Sequence, residues 1–149
     1  MHLLEKWLIE VESWVGTPYF TEGCTKGVKG GANCGSWIVD AMCNVFPDGK
    51  LVEYARGITH VSYFKKNIDV MPEVMEHLCF PITLKEIQPG DVVFPRIRKV
   101  AAIPSVYFGN DEFVYCDTSQ RVIVKRALLG NLIERIAYVY RFRALAEEV

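Results

Sequence analysis

Cys34 stands between a glycine-rich stretch and an apolar repeat, a placement that suits a nucleophilic thiol. The segment reads Gly30-Gly31-Ala32-Asn33-Cys34-Gly35-Ser36, after which apolar residues recur at Trp37, Ile38, Ala41, Met42 and Val45 with helical spacing. That spacing predicts a helix with Asn33 as its N-cap and Cys34 in its first turn. There, unpaired backbone amides and the positive end of the helix dipole stabilise a thiolate, lowering the thiol pKa from its ordinary value of about 8.5. The chemistry on offer is attack on an acyl carbon, with the same amides able to hold the oxyanion that forms. A small residue buried at a helix start, with no reactive role, satisfies the same pattern.

A thiol nucleophile needs a base, and the chain has three histidines, at 2, 60 and 77. His60 falls in the loop-like run Arg56-Gly57-Ile58-Thr59-His60-Val61-Ser62. His77-x-Cys79 is the closest His/Cys pair, with nothing spaced to complete a four-ligand zinc site, so His77 is expected near a helix end and Cys79 in a core. No metal is expected. The five cysteines form no C-x-x-C, and their odd number without a secretory leader favours reduced thiols. The glycine-rich segment lacks the G-x-x-x-x-G-K-[ST] pattern of a phosphate loop, and no cofactor is expected.

These residues must be positioned by the elements around them. Leu3, Leu4, Trp7, Leu8, Val11, Trp14 and Val15 share one face of a predicted amphipathic helix over residues 3–15, stopped at Gly16 and barred from continuing by Pro18. The stretch from Thr17 to Asn33 reads as a loop bringing backbone close to Cys34. Pro47-Asp48-Gly49 marks a turn, and Leu51–Ala55 and Val70–Cys79 both allow helix. After Pro81 the character changes. Gln88-Pro89-Gly90-Asp91 leads into Val92-Val93-Phe94, Ser105–Phe108 and Glu112–Tyr115 flank the hairpin turn Gly109-Asn110-Asp111, and Arg121–Lys125 alternates. Ile136–Phe142 carries Tyr138, Tyr140 and Phe142 on one side. Helices first and an antiparallel sheet second make an α+β pattern, and 149 residues suit a single domain over 1–149.

Composition narrows the function. Half the residues are hydrophobic and 12% aromatic, which excludes a disordered chain. A formal net charge of -1 with no basic block argues against nucleic-acid binding. The apolar runs are too short for a membrane span, and Glu5, Glu10 and Glu12 interrupt the region where a signal peptide needs an apolar core.

A helix opened by cysteine and followed by an antiparallel sheet resembles the layout of papain-like thiol hydrolases. The local motifs are similar to those of one branch, the NlpC/P60 family of cell-wall peptide hydrolases. Trp14-Val15-Gly16-Thr17-Pro18-Tyr19 matches the family's W-x-G-T-P-Y, and Asn33-Cys34-Gly35-Ser36 stands where the family has D-C-S-G. Gln88 to Phe94 matches x-P-G-D-L-V-F, Val106 to Val114 resembles the strand pair I-Y-L-G-N-G-x-F-I, and Arg135 to Arg143 resembles the closing strand of phage-tail members. The resemblance implies a papain-like fold with Cys34 at the nucleophile position and Tyr19, Asn33, Gly35 and Ser36 lining the substrate groove. It implies a histidine base on the first strand of the sheet and a third polar residue, commonly histidine, that orients it. Those two positions fall on Ile103 and Tyr115, and no histidine follows His77.

Without a general acid–base, a rate loss of about a hundred- to ten-thousand-fold is expected. The resemblance therefore implies a weak or inactive homologue, a possible pseudoenzyme, that binds a peptide, a peptidoglycan fragment or a protein partner in its groove. The alternative is an active cysteine peptidase or amidase on peptidoglycan stem peptides, with His60, Tyr107 or Tyr115 as an unorthodox proton carrier. A third reading is a thiol acyl carrier or transferase. The expected setting is cytoplasmic or virion-associated.

Overall fold

A computed structural model describes residues 2–20, 24–32, 35–46, 75–97, 100–101, 104–117, 119–128 and 134–147, with backbone alone at 24, 96, 97, 100 and 101. The sequence expectations for Pro47-Asp48-Gly49, Leu51–Ala55, His60, Asn33, Cys34 and Ile103 lie outside the described residues.

The N-terminal stripe forms α1, Leu3–Glu12, which buries Trp7 and Val11. The helix ends earlier than residue 15 because the chain tightens, Trp14 and Val15 donating to the carbonyls three residues back at Val11 and Glu12, both 3.1 Å. Trp14 still points inward at 1% exposure, so the apolar face outlasts the helix. Gly16 then takes φ +92, a left-handed stop that a side chain would strain.

The second helix, α2, spans Ser36–Val45 and buries Ser36, Trp37, Ile38, Val39, Ala41 and Met42, leaving it enclosed by its neighbours. Its N-cap is Gly35, whose carbonyl accepts from Val39 N at 3.3 Å. The cap of α2 is thus Gly35 and not the expected Asn33. The first intrahelical bond defines the cap, and it starts at Gly35. Trp7 lies 5.2 Å from Phe46 and Trp14 lies 6.4 Å from Trp37 between ring centres, so α1 and α2 run antiparallel.

Between them, the glycine-rich stretch contains a small ribbon of β1, Cys24–Thr25, and β2, Gly31–Ala32. Gly30 permits it, since a Cβ there would sit 2.0 Å from the Thr25 carbonyl oxygen. Residues 75–78 are helical, but Cys79 opens strand β3, Cys79–Pro81, instead of closing that helix, and pairs with Phe142. Its apolar neighbours satisfy either period, and pairing with the last strand decides.

The remaining strands are β4 (Val92–Ile97), β5 (Val100–Ala101), β6 (Ser105–Gly109), β7 (Glu112–Asp117), β8 (Val122–Arg126) and β9 (Ile136–Phe142), followed by α3 (Arg143–Glu147). Six of the strands lie in the order β3-β9-β4-β6-β7-β8, all neighbours antiparallel, with β5 paired to β4. The β6–β7 turn is as expected, with Asn110 at φ 53 and Asp111 at φ 61. Alternation sorts the sheet into two faces. Val92, Phe94, Val106, Val114, Cys116, Ile123, Tyr140 and Phe142 join Trp7, Trp14 and α2 in the main core, with Tyr138 packed against it. Val93, Phe113, Tyr115, Leu128 and Val139 form a second cluster on the opposite face.

The Gln88–Asp91 turn is tied into the frame twice. Trp7 Nε1 donates to the Gly90 carbonyl at 3.0 Å, and Arg141 donates to both oxygens of buried Asp91 at 3.0 and 2.9 Å. Asp91 Oδ2 also accepts from Gln88 N at 2.8 Å.

Candidate active site

The sheet does not end at β8. Gly16 N donates to Ile123 O, Ile123 N to Thr17 O and Tyr19 N to Arg121 O, each at 2.9 Å, so residues 16–19 run as a further strand-like edge. On the other side, Ala32 N donates to Pro18 O and Phe20 N to Ala32 O, both 2.9 Å, and Tyr19 bridges Ala32. Thr17 is fully buried, and its hydroxyl accepts from Gly27 N at 2.9 Å. Residues 16–20 are thereby held between β8 on one side and Ala32 of β2 on the other. Gly35 and Ser36 are buried at the head of α2, and half-buried Tyr19 lies beside Ala32. Of the predicted groove residues, Tyr19 is paired with Ala32 of β2, and Gly35 and Ser36 open α2. Asn33, Cys34 and Ile103 lie outside the described residues.

Tyr115 is described, and it is engaged. It sits on β7 opposite Val124, 2% exposed, in the cluster on the sheet face away from α1 and α2. Its hydroxyl accepts from Arg126 Nε at 3.2 Å, and the guanidinium lies 5.9 Å from the ring centre. Arg126 is in turn ion-paired with Asp117 and donates to Gln120 Oε1 at 3.3 Å. Held by a cation, the Tyr115 hydroxyl is engaged as a hydrogen-bond acceptor within the sheet. Tyr107, the other candidate proton carrier, packs its ring 5.0 Å from Phe113, tilted at 46°, on the same face.

The described histidines are at the wrong end. His77 lies beside Phe46, at the C-terminal end of α2, where its carbonyl accepts from Arg143 Nη1 at 3.0 Å. His2 precedes α1, whose first half packs toward that same end. The ten residues of α2 span about 15 Å, which separates both from Gly35. Cys79 and Cys116 are fully buried, and burial pushes the Cys79 thiol well above its usual range, so it is a core residue. Among the described residues no group of three or more His, Cys, Asp and Glu side chains is arranged to hold a metal ion. Also among them, no helix is long and apolar enough to cross a membrane.

Two further polar clusters brace the fold. Glu10 accepts from Trp14 Nε1 at 2.9 Å and Asn44 Nδ2 at 3.0 Å and pairs with Lys26 at 3.0 Å. Burial raises its carboxyl pKa, but the bonds from Asn44, Lys26 and Trp14 outweigh that and leave it lowered. The turn between β7 and β8 holds the second. Asp117 Oδ1 accepts from Ser119 N at 2.9 Å, Ser119 Oγ at 2.7 Å and Gln120 N at 3.2 Å, an Asx-type cap that D-x-S in the sequence foreshadows.

No family model matches the chain, and no curated protein matches it significantly by sequence. Its fold is nevertheless well matched among solved structures, and it is the α+β fold of NlpC/P60 proteins. The chain is similar to an NlpC/P60 family protein from Bacillus cereus, with a TM-score of 0.60 and 19% identity over 93% of this chain and 40% of that one. A Staphylococcus aureus protein described as similar to lipoprotein, NLP/P60 family, gives 0.57 and 14% over 94% and 41%. The P60 domain of a Mycobacterium avium subspecies paratuberculosis antigen gives 0.53 and 15% over 93% of each chain. The chain thus spans about two fifths of the length of the first two and nearly all of the third.

Proposed function

We propose that this chain is an NlpC/P60-fold peptide binder whose groove, beside Cys34, receives a cell-wall stem peptide and hydrolyses it feebly or not at all. The observation that carries the reading is the clamp of residues 16–19 between β8 and β2, which supports a groove at the head of α2. The occupied Tyr115 hydroxyl supports the loss of catalysis, because the position that would orient a base is bound to Arg126. Cys34 keeps the nucleophile's place in this reading, and no described histidine stands near Gly35 to take its proton or return one to a leaving amine.

The test pairs binding with turnover. The purified protein is titrated with L-alanyl-γ-D-glutamyl-L-lysyl-D-alanine by calorimetry, and products are followed by mass spectrometry. Saturable binding that survives Cys34→Ala is expected. Turnover is expected at least about a hundredfold below that of a histidine-bearing NlpC/P60 enzyme assayed in parallel. Turnover equal to that enzyme's and abolished by Cys34→Ala would overturn the inactive reading in favour of a peptidase with a non-standard base.

A further inference from the structure

We infer that Arg121 is a specificity-determining residue of the groove, engaging a carboxylate on the bound peptide where it crosses Tyr19. The inference rests on the groove reading above and adds the chemical class that the groove selects.

Three observations converge on Arg121. Its backbone takes φ +61, a left-handed conformation uncommon for a residue with a side chain. Such outliers persist where surrounding structure over-determines them, and they cluster at binding sites. Here the determinants are visible: Arg121 N donates to Asp117 O at 2.7 Å, and Arg121 O accepts from Tyr19 N at 2.9 Å. The turn is therefore pinned both to β7 and to the groove-lining segment.

The second observation is where the side chain goes. The guanidinium carbon lies 5.2 Å from the centre of the Tyr19 ring, within the range of a cation–π contact. A guanidinium laid against an aromatic face keeps its N–H donors at its edge, where they match the two oxygens of a carboxylate.

The third is charge. Three nearby cations are compensated, Arg126 by Asp117, Lys26 by Glu10 and Lys125 by Glu12. Arg121 is exposed, and among the described residues no acidic side chain pairs with it. A cation that merely stabilised the turn would gain from a partner, and Gly at this φ would relieve the strain without one. An oriented, uncompensated guanidinium on the rim of a groove instead suits an acidic ligand.

The test uses two peptides that differ by one group, L-alanyl-γ-D-glutamyl-L-lysine and its isoglutamine form, in which the free α-carboxylate is an amide. The wild-type protein is expected to bind the acid on the order of tenfold tighter than the amide by calorimetry. Arg121→Gly is expected to shrink that preference to within about twofold while melting no lower than the wild type, since glycine suits φ +61. Arg121→Lys is expected to fall between, keeping charge and losing the planar fork. Equal binding of acid and amide by the wild type, or an unchanged preference in a folded Arg121→Gly, overturns the assignment while leaving the groove reading intact. Failure of both peptides to bind removes the groove reading and this inference with it.

Discussion

Ile103→His should raise stem-peptide hydrolysis by about a hundredfold over the unmodified chain, measured by mass spectrometry under single-turnover conditions. The motif resemblance implies that position 103 corresponds to the base of an NlpC/P60 chain. An imidazole there titrates near the working pH, so it can take the Cys34 proton and return it to the leaving amine. The gain is set at the low end of the usual range of a hundred- to ten-thousand-fold because nothing would orient the new ring. Tyr115, at the orienting position, already accepts from Arg126 at 3.2 Å. A folded Ile103→His variant with an unchanged rate would move the base position elsewhere and weaken the motif match on which the functional reading depends.

The second large effect concerns the frame. Trp7→Ala should cost about 4–5 kcal/mol, read as a shift of the urea midpoint at constant slope. Trp7 is fully buried, with its ring 5.2 Å from Phe46 at the end of α2 and 5.0 Å from Phe142 on β9, edge-on at 71°. Its indole N–H also satisfies the Gly90 carbonyl at 3.0 Å. Truncation removes the ring's contacts, opens a cavity and orphans a buried acceptor, which together approach the whole stability of many domains of this size. Trp7→Phe keeps the packing and loses only the hydrogen bond, so about 1–2 kcal/mol is expected. A cost below that figure for Trp7→Ala would mean that α1 does not lock the two halves of the fold together.

The parts of the fold legible in the sequence are those decided locally. The stripe of α1, the Gly109-Asn110-Asp111 turn and the alternation of Tyr138, Tyr140 and Phe142 each follow from side-chain period or from a turn that tolerates positive φ. What sequence could not supply is decided by contacts between distant segments. The β1–β2 ribbon depends on Gly30 admitting the Thr25 carbonyl, a close approach with no periodic signature. Cys79 belongs to a strand because Phe142 lies opposite it, 63 positions away in the chain by their numbers. The cap of α2 moved to Gly35 because small, polar Asn33 and Gly35 both suit that role, and only the hydrogen bond from Val39 separates them.

Less of the candidate site was legible. The W-x-G-T-P-Y match marks the segment that the backbone bonds of Pro18 and Phe20 hold against Ala32. The Arg126–Tyr115 contact was hidden because it depends on cross-strand register, with Tyr115 opposite Val124 and Arg126 two residues beyond. Arg121 was hidden because arginine has no sequence preference for φ +61, so nothing in its type announces a turn held in that shape.

The central claim is that a nucleophile's position persists here after the base has gone, and thiol reactivity tests it most directly. Iodoacetamide labelling across pH, with each cysteine followed by mass spectrometry, should modify Cys34 first, with an apparent pKa about one unit or more below the ordinary 8.5. The helix start at Gly35 supplies the positive dipole end that such a shift requires. Buried Cys79 and Cys116 should stay unmodified until the protein unfolds. Labelling of Cys34 no faster than half-buried Cys43 or buried Cys116 would contradict the account and leave Cys34 an ordinary structural thiol.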